Sequence, residues 1–386
     1  MKQYLDYLFI SIISLFSILV CFNKITYNWD FIGYMGVVNS YLEKDSKKIH
    51  QKTYFILDKS IDVKKYELKS EGYRKVMSID HKAFEENLSF YKIRPLYTMA
   101  IYVLYRLGFN LLFSIKILTI LPIVFILGML YFSVKREMNN RQVAFLFSMF
   151  FVFSPLIIKI ATTTPDALSG MFLLMLSLAY YEQRNKFLQI IIMFLLVATR
   201  TDNFLWIVLL LLFDVFNAFY FKKLKFNLLI IICIFIFYQS INLYAGNSGL
   251  WVVYYNTLVN RLNFPLSQTP KFNLQDYYYG QIFALKYTIF TLFVTFIIAI
   301  LGYINFKKNQ NKSIYVFNIV ATTILSLLLR LILFPAYNSR YMLILFFIPI
   351  YFLVIDNKTN IYNKICYLPL FLKIKSVLSL KKTPKN

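Results

Sequence analysis

Runs of about twenty apolar residues, broken by short polar turns, recur along most of the chain, and this pattern predicts helices that cross a bilayer. Ten spans are read at residues 4–22, 111–134, 142–160, 166–181, 187–199, 203–221, 226–244, 281–303, 314–334 and 340–356. The fourth and fifth are short for a full crossing, which fits helices packed inside a bundle or a locally thinned membrane. Alternating ten-residue segments of the kind that build a transmembrane barrel do not recur. The expected fold is all-α and polytopic, with about ten transmembrane helices. Two pieces stand outside the repeat. Residues 23–93 form a long polar stretch, and "RPLYTMAIYVLYRLGF" (94–109) is apolar but short and interrupted by Arg106.

Composition strengthens the membrane reading. Of 386 residues, 59% are hydrophobic and 16% charged, where a soluble domain holds about a quarter charged. The net charge of +24, from 42 Lys+Arg against 18 Asp+Glu, belongs to loops. No basic stripe interleaved with aromatics suggests nucleic acid. The loops "KREMNNRQ", "EQRNK", "FKKLK" and "FKKNQNK" carry eleven Lys and Arg, whereas the alternate set carries four. Positive charge marks the cytoplasmic side, so the first set is expected inside, with the basic tail 357–386. Residues 23–93 are then an external cap loop, and 94–109 is a juxtamembrane helix at the outer interface. A crossing at 94–109 would turn the basic loops outward. "CFNKITYNWD" lacks a small-residue cleavage site, so the first apolar run is read as a retained helix. Cys21, Cys233 and Cys366 lie far apart and support neither a disulfide framework nor a zinc site. His50 and His81 are read as solvated loop residues.

With this topology the unusual polar residues share one side. Asp30 follows the first span within "TYNWDFIGYMG", Arg94 opens the juxtamembrane helix, and Asp166 starts the fourth span after "TTTP". Arg200 and Asp202 fill a turn, and Arg340 starts the last span. Lys116, Lys159, Lys286 and Arg330 lie near the same ends. Snorkelling accounts for a single lysine, but two carboxylates with several cations suggest a pocket for phosphate or pyrophosphate, which arginine binds in forked fashion. A carboxylate there can act as general base for an attacking hydroxyl or amine. Against this, Asp30 is also a natural helix boundary, and Pro165–Asp166 a natural first helical turn. Tyr27, Trp29 and Tyr34 are expected in an interfacial belt, with sugar stacking as the alternative. The aromatic 245–280 loop is expected to shape a substrate entrance. Asp214, the one acid well inside a span, sits toward the inner side.

An acid after the first helix, a large external loop and "RPLY" opening a juxtamembrane helix come in that order. "FSPLIIKIATTTPDALSGMFLLMLSLAYY", "ATRTDN" and "NSRYMLILFFIPI" follow. This order, over residues 1–356, resembles the GT-C superfamily of integral-membrane glycosyltransferases, in particular protein O-mannosyltransferases and lipid A aminoarabinose transferases. The resemblance implies a sugar moved from a polyprenyl-phosphate donor to a lipid, glycan or protein acceptor on the non-cytoplasmic face of a bacterial plasma membrane. It implies Asp30 as catalytic base, Asp166 as the second acidic position, and Arg94, Arg200 and Arg340 as contacts to the donor phosphate. Many relatives carry two acids after the first helix. Here Phe31 and Ile32 follow Asp30, which disfavours a divalent metal, since hard cations take several oxygen ligands. No cofactor is assigned, and direct displacement with inversion is expected. A repeat-unit polymerase or ligase, and a flippase, are the rival readings. A flippase would place substrate groups near the midplane and show internal repeats, and none is found.

Overall fold

Helix α1 (Lys2–Lys24) follows the first apolar run and ends on a lysine, which suits the negative end of a helix. The computed structural model describes residues 2–63, 66–69, 72–216, 221–246, 249–308, 314–334 and 339–356. After α1 come α2 (Asp30–Ser40), α3 (Ser46–Ser60), α4 (Tyr73–Ile79), α5 (His81–Asn87), α6 (Ser89–Lys92) and α7 (Pro95–Arg106). The rest is a bundle: α8 (Leu111–Met138), α9 (Arg141–Val152), α10 (Pro155–Ile160), α11 (Asp166–Tyr181), α12 (Lys186–Thr199) and α13 (Phe204–Phe216). It continues with α14 (Phe221–Tyr244), α15 (Gly249–Leu258), α16 (Leu274–Lys308), α17 (Ile314–Leu333) and α18 (Ser339–Asp356). Among the described residues the only β pairing is an isolated parallel bridge, Thr26 to Thr162.

Among the described residues, four helical stretches are long and apolar enough to cross a membrane: Tyr4–Lys24, Leu111–Met138, Leu224–Tyr244 and Ile314–Leu333. Apolar side chains such as Leu8, Leu15, Phe22, Ile232, Ile236, Phe290 and Phe293 point outward in belts, as lipid-facing surfaces do. Helix α8 is the hub, packing on α1, α7, α9 and α11. The 142–160 span is not one helix. It stops at Phe153 and restarts at Pro155, with the Ser154 hydroxyl accepting from Ile157 N at 3.4 Å. A residue before proline leaves the α region, and Ser-Pro is a helix start. The last-turn end of α8 and the start of α1 meet in polar contacts: Asp6 accepts from Tyr131 Oη at 2.6 Å and pairs with Lys135 at 2.7 Å and Arg141 at 3.0 Å. At that same end Arg136 and Arg184 both pair with Glu182 at 2.6 Å. There too Asp214, buried, accepts from Tyr180 Oη at 3.0 Å and lies 3.7 Å from Lys186 Nζ.

The polar stretch after α1 is a helical cap with its own core. Helix α2 is buried on all sides from Phe31 to Asn39, Tyr34 included, and Trp29, Leu57, Phe84, Tyr91 and Tyr97 share its core. The belt expectation for Tyr27, Trp29 and Tyr34 therefore fails. Trp29 and Tyr34 are cap-core residues, and Tyr27 packs on that core, 5.0 Å from Tyr66. Helix α7 does lie against the bundle as an amphipathic element. Tyr97, Thr98 and Ile101 face inward while Met99, Val103 and Leu107 are exposed. The residues 245–280, expected as a loop, hold α15 and the start of α16.

His50 also departs from its expected solvated state. It is buried, with Nε2 3.0 Å from Met77 O and its ring 4.7 Å from Tyr54. Burial pushes the imidazole below its usual value of 6.5, against the Met77 contact that favours the charged form. The unfolded chain then binds the proton more readily than the folded cap. The stabilisation is full above pH 6.5 and is lost as pH falls from 6.5 toward the lower folded value. Protection factors of the α3 amides, which divide out the intrinsic slowing of exchange at lower pH, should therefore be steady from pH 8 to 7 and decline below 6.5. His50→Gln should flatten that dependence.

Candidate active site

The bridge at Thr26 sets the site. Thr26 N donates to Ala161 O at 3.1 Å and Thr163 N returns to Thr26 O at 3.2 Å. Asn28 N continues the pairing to Thr163 Oγ1 at 3.3 Å, and Thr119 Oγ1 of α8 fastens Thr162 O at 2.9 Å. Two segments more than a hundred residues apart are thereby joined, and each leads within a few residues into a helix whose first residue is an aspartate: Asp30 of α2 and Asp166 of α11. Helix starts favour acids, so capping and chemistry are compatible at both.

Asp30 is held from two sides. Asn28 Nδ2 donates to Oδ2 at 3.0 Å, and Tyr91 Oη donates to Oδ1 at 3.5 Å. Burial raises the Tyr91 phenol well above its usual value, so it stays protonated and a donor. Asp30 opens into a cleft of about 430 Å³ lined by Asn28, Trp29, Tyr73 and Tyr91 of the cap. Glu67, Arg74 and Arg261 complete the lining. Position 33 has no room for a side chain, because a Cβ there would lie 2.4 Å from the Tyr91 ring. Gly33→Ala should thus displace Tyr91 and destabilise the cap by about 1–3 kcal/mol, read in a denaturant titration of Trp fluorescence.

Asp166 belongs to a second group. It is 4% exposed, accepts from Thr164 Oγ1 at 2.7 Å, and is ion-paired with Arg200 Nη1. Arg200 also forks onto Asp202 through Nε at 3.1 Å and Nη2 at 3.0 Å. Arg330 of α17 completes the row, 3.0 Å from Asp202 Oδ2 and donating to Asp202 O at 2.8 Å. Desolvation pushes the Asp202 carboxyl up, but Arg200, Arg330 and then Arg94 outweigh it and hold it well below the usual carboxylate range. Among the described residues, Arg200, Arg330 and Arg94 act on Asp202, and Arg200 also pairs with Asp166. Arg94 meanwhile donates to Tyr34 Oη and lies 5.5 Å from that ring.

The expected residues thus fall in two adjoining groups. Asp30 lines the cleft, while Asp166, Arg200 and Arg330 form an ion-pair row, with Arg94 close enough to act on Asp202. Lys116 bridges Phe22 at 5.2 Å and Tyr27 at 5.5 Å by cation–π contact, and Lys159 is exposed. The side chains of Arg340 and Lys286, Cys366 and the 357–386 tail lie outside the described residues. Among the described residues no three His, Cys, Asp or Glu side chains gather to hold a metal. The donor set does not fit a hard cation: Asp166 faces a guanidinium and a hydroxyl donor, and Asp30 faces an amide and a phenol. Arg74, Arg261, Tyr73 and Tyr91 were not singled out by pattern. Only the closeness of Tyr91 to Arg94 offered a signal. No family model matches this chain, and no curated protein or solved structure matches it.

Proposed function

We propose that this protein is a polytopic membrane glycosyltransferase of GT-C type, with about ten spans and its cap on the non-cytoplasmic side, acting on a polyprenyl-phosphate sugar. The observation that carries the reading is Asp30, which lines an open cleft and is bonded to Asn28, whose backbone pairs with Thr163 beside the Thr164 that donates to Asp166, the partner of Arg200. In this reading Asp30 takes a proton from the acceptor hydroxyl. The freed oxygen attacks the anomeric carbon, the bond to the phosphate oxygen breaks, and the polyprenyl phosphate leaves with the electron pair and inversion at carbon. Arg94, Arg200 and Arg330 supply positive charge toward a departing phosphate. Arg340 joins them as the motif order implies. Asp166 serves as the anchor that aims Arg200.

The topology supports this division. Carboxylates and cations at the cap end form the site, while those at the other end tie helices together and adjoin the basic loops. Membranes containing the chain should move radiolabelled sugar from polyprenyl phosphate into an acceptor fraction. Cysteines placed at 247 and 309 should react with a membrane-impermeant reagent from outside and inside respectively, and labelling of 309 from outside would invert the orientation and dissolve the reading.

A further inference from the structure

The strongest feature left unused is the strap that follows α15. Leu266 N and Ser267 N both donate to Glu86 Oε2 of α5 at 2.9 Å, and the Ser267 hydroxyl bonds Oε1. Asn87 Nδ2 donates to Asn263 O at 3.0 Å, and Phe264 packs on the cap core. At its start the strap is tied back to α15, where Leu262 N donates to Asn256 Oδ1 at 2.7 Å. Four hydrogen bonds and an apolar anchor thus fix a segment about 180 residues away in sequence onto the cap. Fixing a loop this long costs conformational entropy. What it delivers to the cleft is one side chain, Arg261, whose guanidinium lies 5.7 Å from the Tyr73 ring. Tyr73 in turn donates to Asn87 Oδ1 at 3.1 Å, which locks its ring to the same latch.

We infer that Arg261 is a substrate-binding residue, and that the cleft over Asp30 takes an acidic acceptor sugar, its carboxylate or phosphate held by Arg261 while its hydroxyl faces Asp30. This rests on the transferase reading above. Three observations place the acceptor, not the lipid-borne donor, in the cleft. Its described lining comes from the cap and the strap, and none from the helices long enough to cross a membrane. The guanidiniums suited to the donor phosphate stand elsewhere, around Asp202. Among the described residues Arg261 has no carboxylate partner, whereas Arg74 has Glu67 at 4.0 Å. Arginine binds a planar carboxylate through two parallel bonds, which a lysine does not reproduce.

The test uses the full chain in nanodiscs, with three probes: a tetrasaccharide ending in glucuronic acid, the same tetrasaccharide ending in glucose, and polyprenyl phosphate. The acidic probe is expected to bind at least tenfold more tightly than the neutral one. Arg261→Ala and Arg261→Lys should abolish that preference and leave polyprenyl phosphate binding unchanged. Glu86→Ala, which releases the strap with Arg261 intact, should weaken the acidic probe while melting as the wild type does. Equal binding of the two sugars, an unchanged preference in Arg261→Ala, or loss of polyprenyl phosphate binding in that variant each overturns the assignment. The transferase reading fails separately, if the wild type binds no polyprenyl phosphate at all.

Discussion

Asp30→Asn is expected to lower sugar transfer by about 100- to 10,000-fold, the span of a lost general base. Asparagine keeps the size and retains one oxygen for Asn28 Nδ2, which now bonds Oδ2 at 3.0 Å, while its NH2 replaces the oxygen that accepts from Tyr91 Oη at 3.5 Å. It cannot take up a proton. The loss should therefore appear in kcat, with KM for the polyprenyl-phosphate donor little changed, because the arginine row around Asp202 is untouched. Initial rates in membranes with a radiolabelled donor, alongside a thermal melt to confirm folding, measure both. Undiminished transfer by a folded variant removes Asp30 from the chemistry. A change confined to KM would make it a binding group. Tyr91→Phe, which deletes one donor to the carboxylate but no proton acceptor, should have a much smaller effect on kcat.

Much of the frame was legible because local rules decide it. Helices α11 and α12 follow the apolar runs 166–181 and 187–199 almost residue for residue. Arg94–Pro95 marks the start of α7 because proline suits a first helical turn. The break at Ser154–Pro155 was written in the sequence in the same terms, and the apolar run 142–160 masked it. Gathering of charge at one end was legible from loop order alone. What escaped was partnership. Hydropathy shows that Trp29 is apolar, not whether lipid or Tyr73 covers it, and the Tyr73 ring lies 5.1 Å away. His50 is hidden by residues from α4 and α5 that periodicity in α3 does not report. Arg261 reaches the cleft only because Glu86 and Asn87 capture a strap some 180 residues distant in sequence. Such a contact depends on backbone donors that carry no residue signature.

Arg200→Ala is expected to be the most destabilising single change at the cap end of the bundle, costing about 3–5 kcal/mol, as removal of one partner from a buried ion pair does. Side chains of Arg200 and Asp166 are only 11% and 3% exposed, so water cannot replace the lost contact. The two halves of the pair should not be equal. Removing Arg200 takes a guanidinium from Asp166 and from Asp202 together. Removing Asp166 leaves Arg200 its two bonds to Asp202 at 3.1 and 3.0 Å. Asp166→Ala should therefore cost less than Arg200→Ala. Asp166→Ala combined with Arg200→Ala should cost less than the sum of the two, by the about 0.5–3 kcal/mol that coupled neighbours show. Unfolding in mixed micelles with increasing denaturing detergent reads all four proteins. Additive losses would mean that the two side chains do not act on each other. A larger loss for Asp166→Ala than for Arg200→Ala would assign Asp166 a partner more important than Arg200, and with it a role beyond aiming that guanidinium toward the phosphate site.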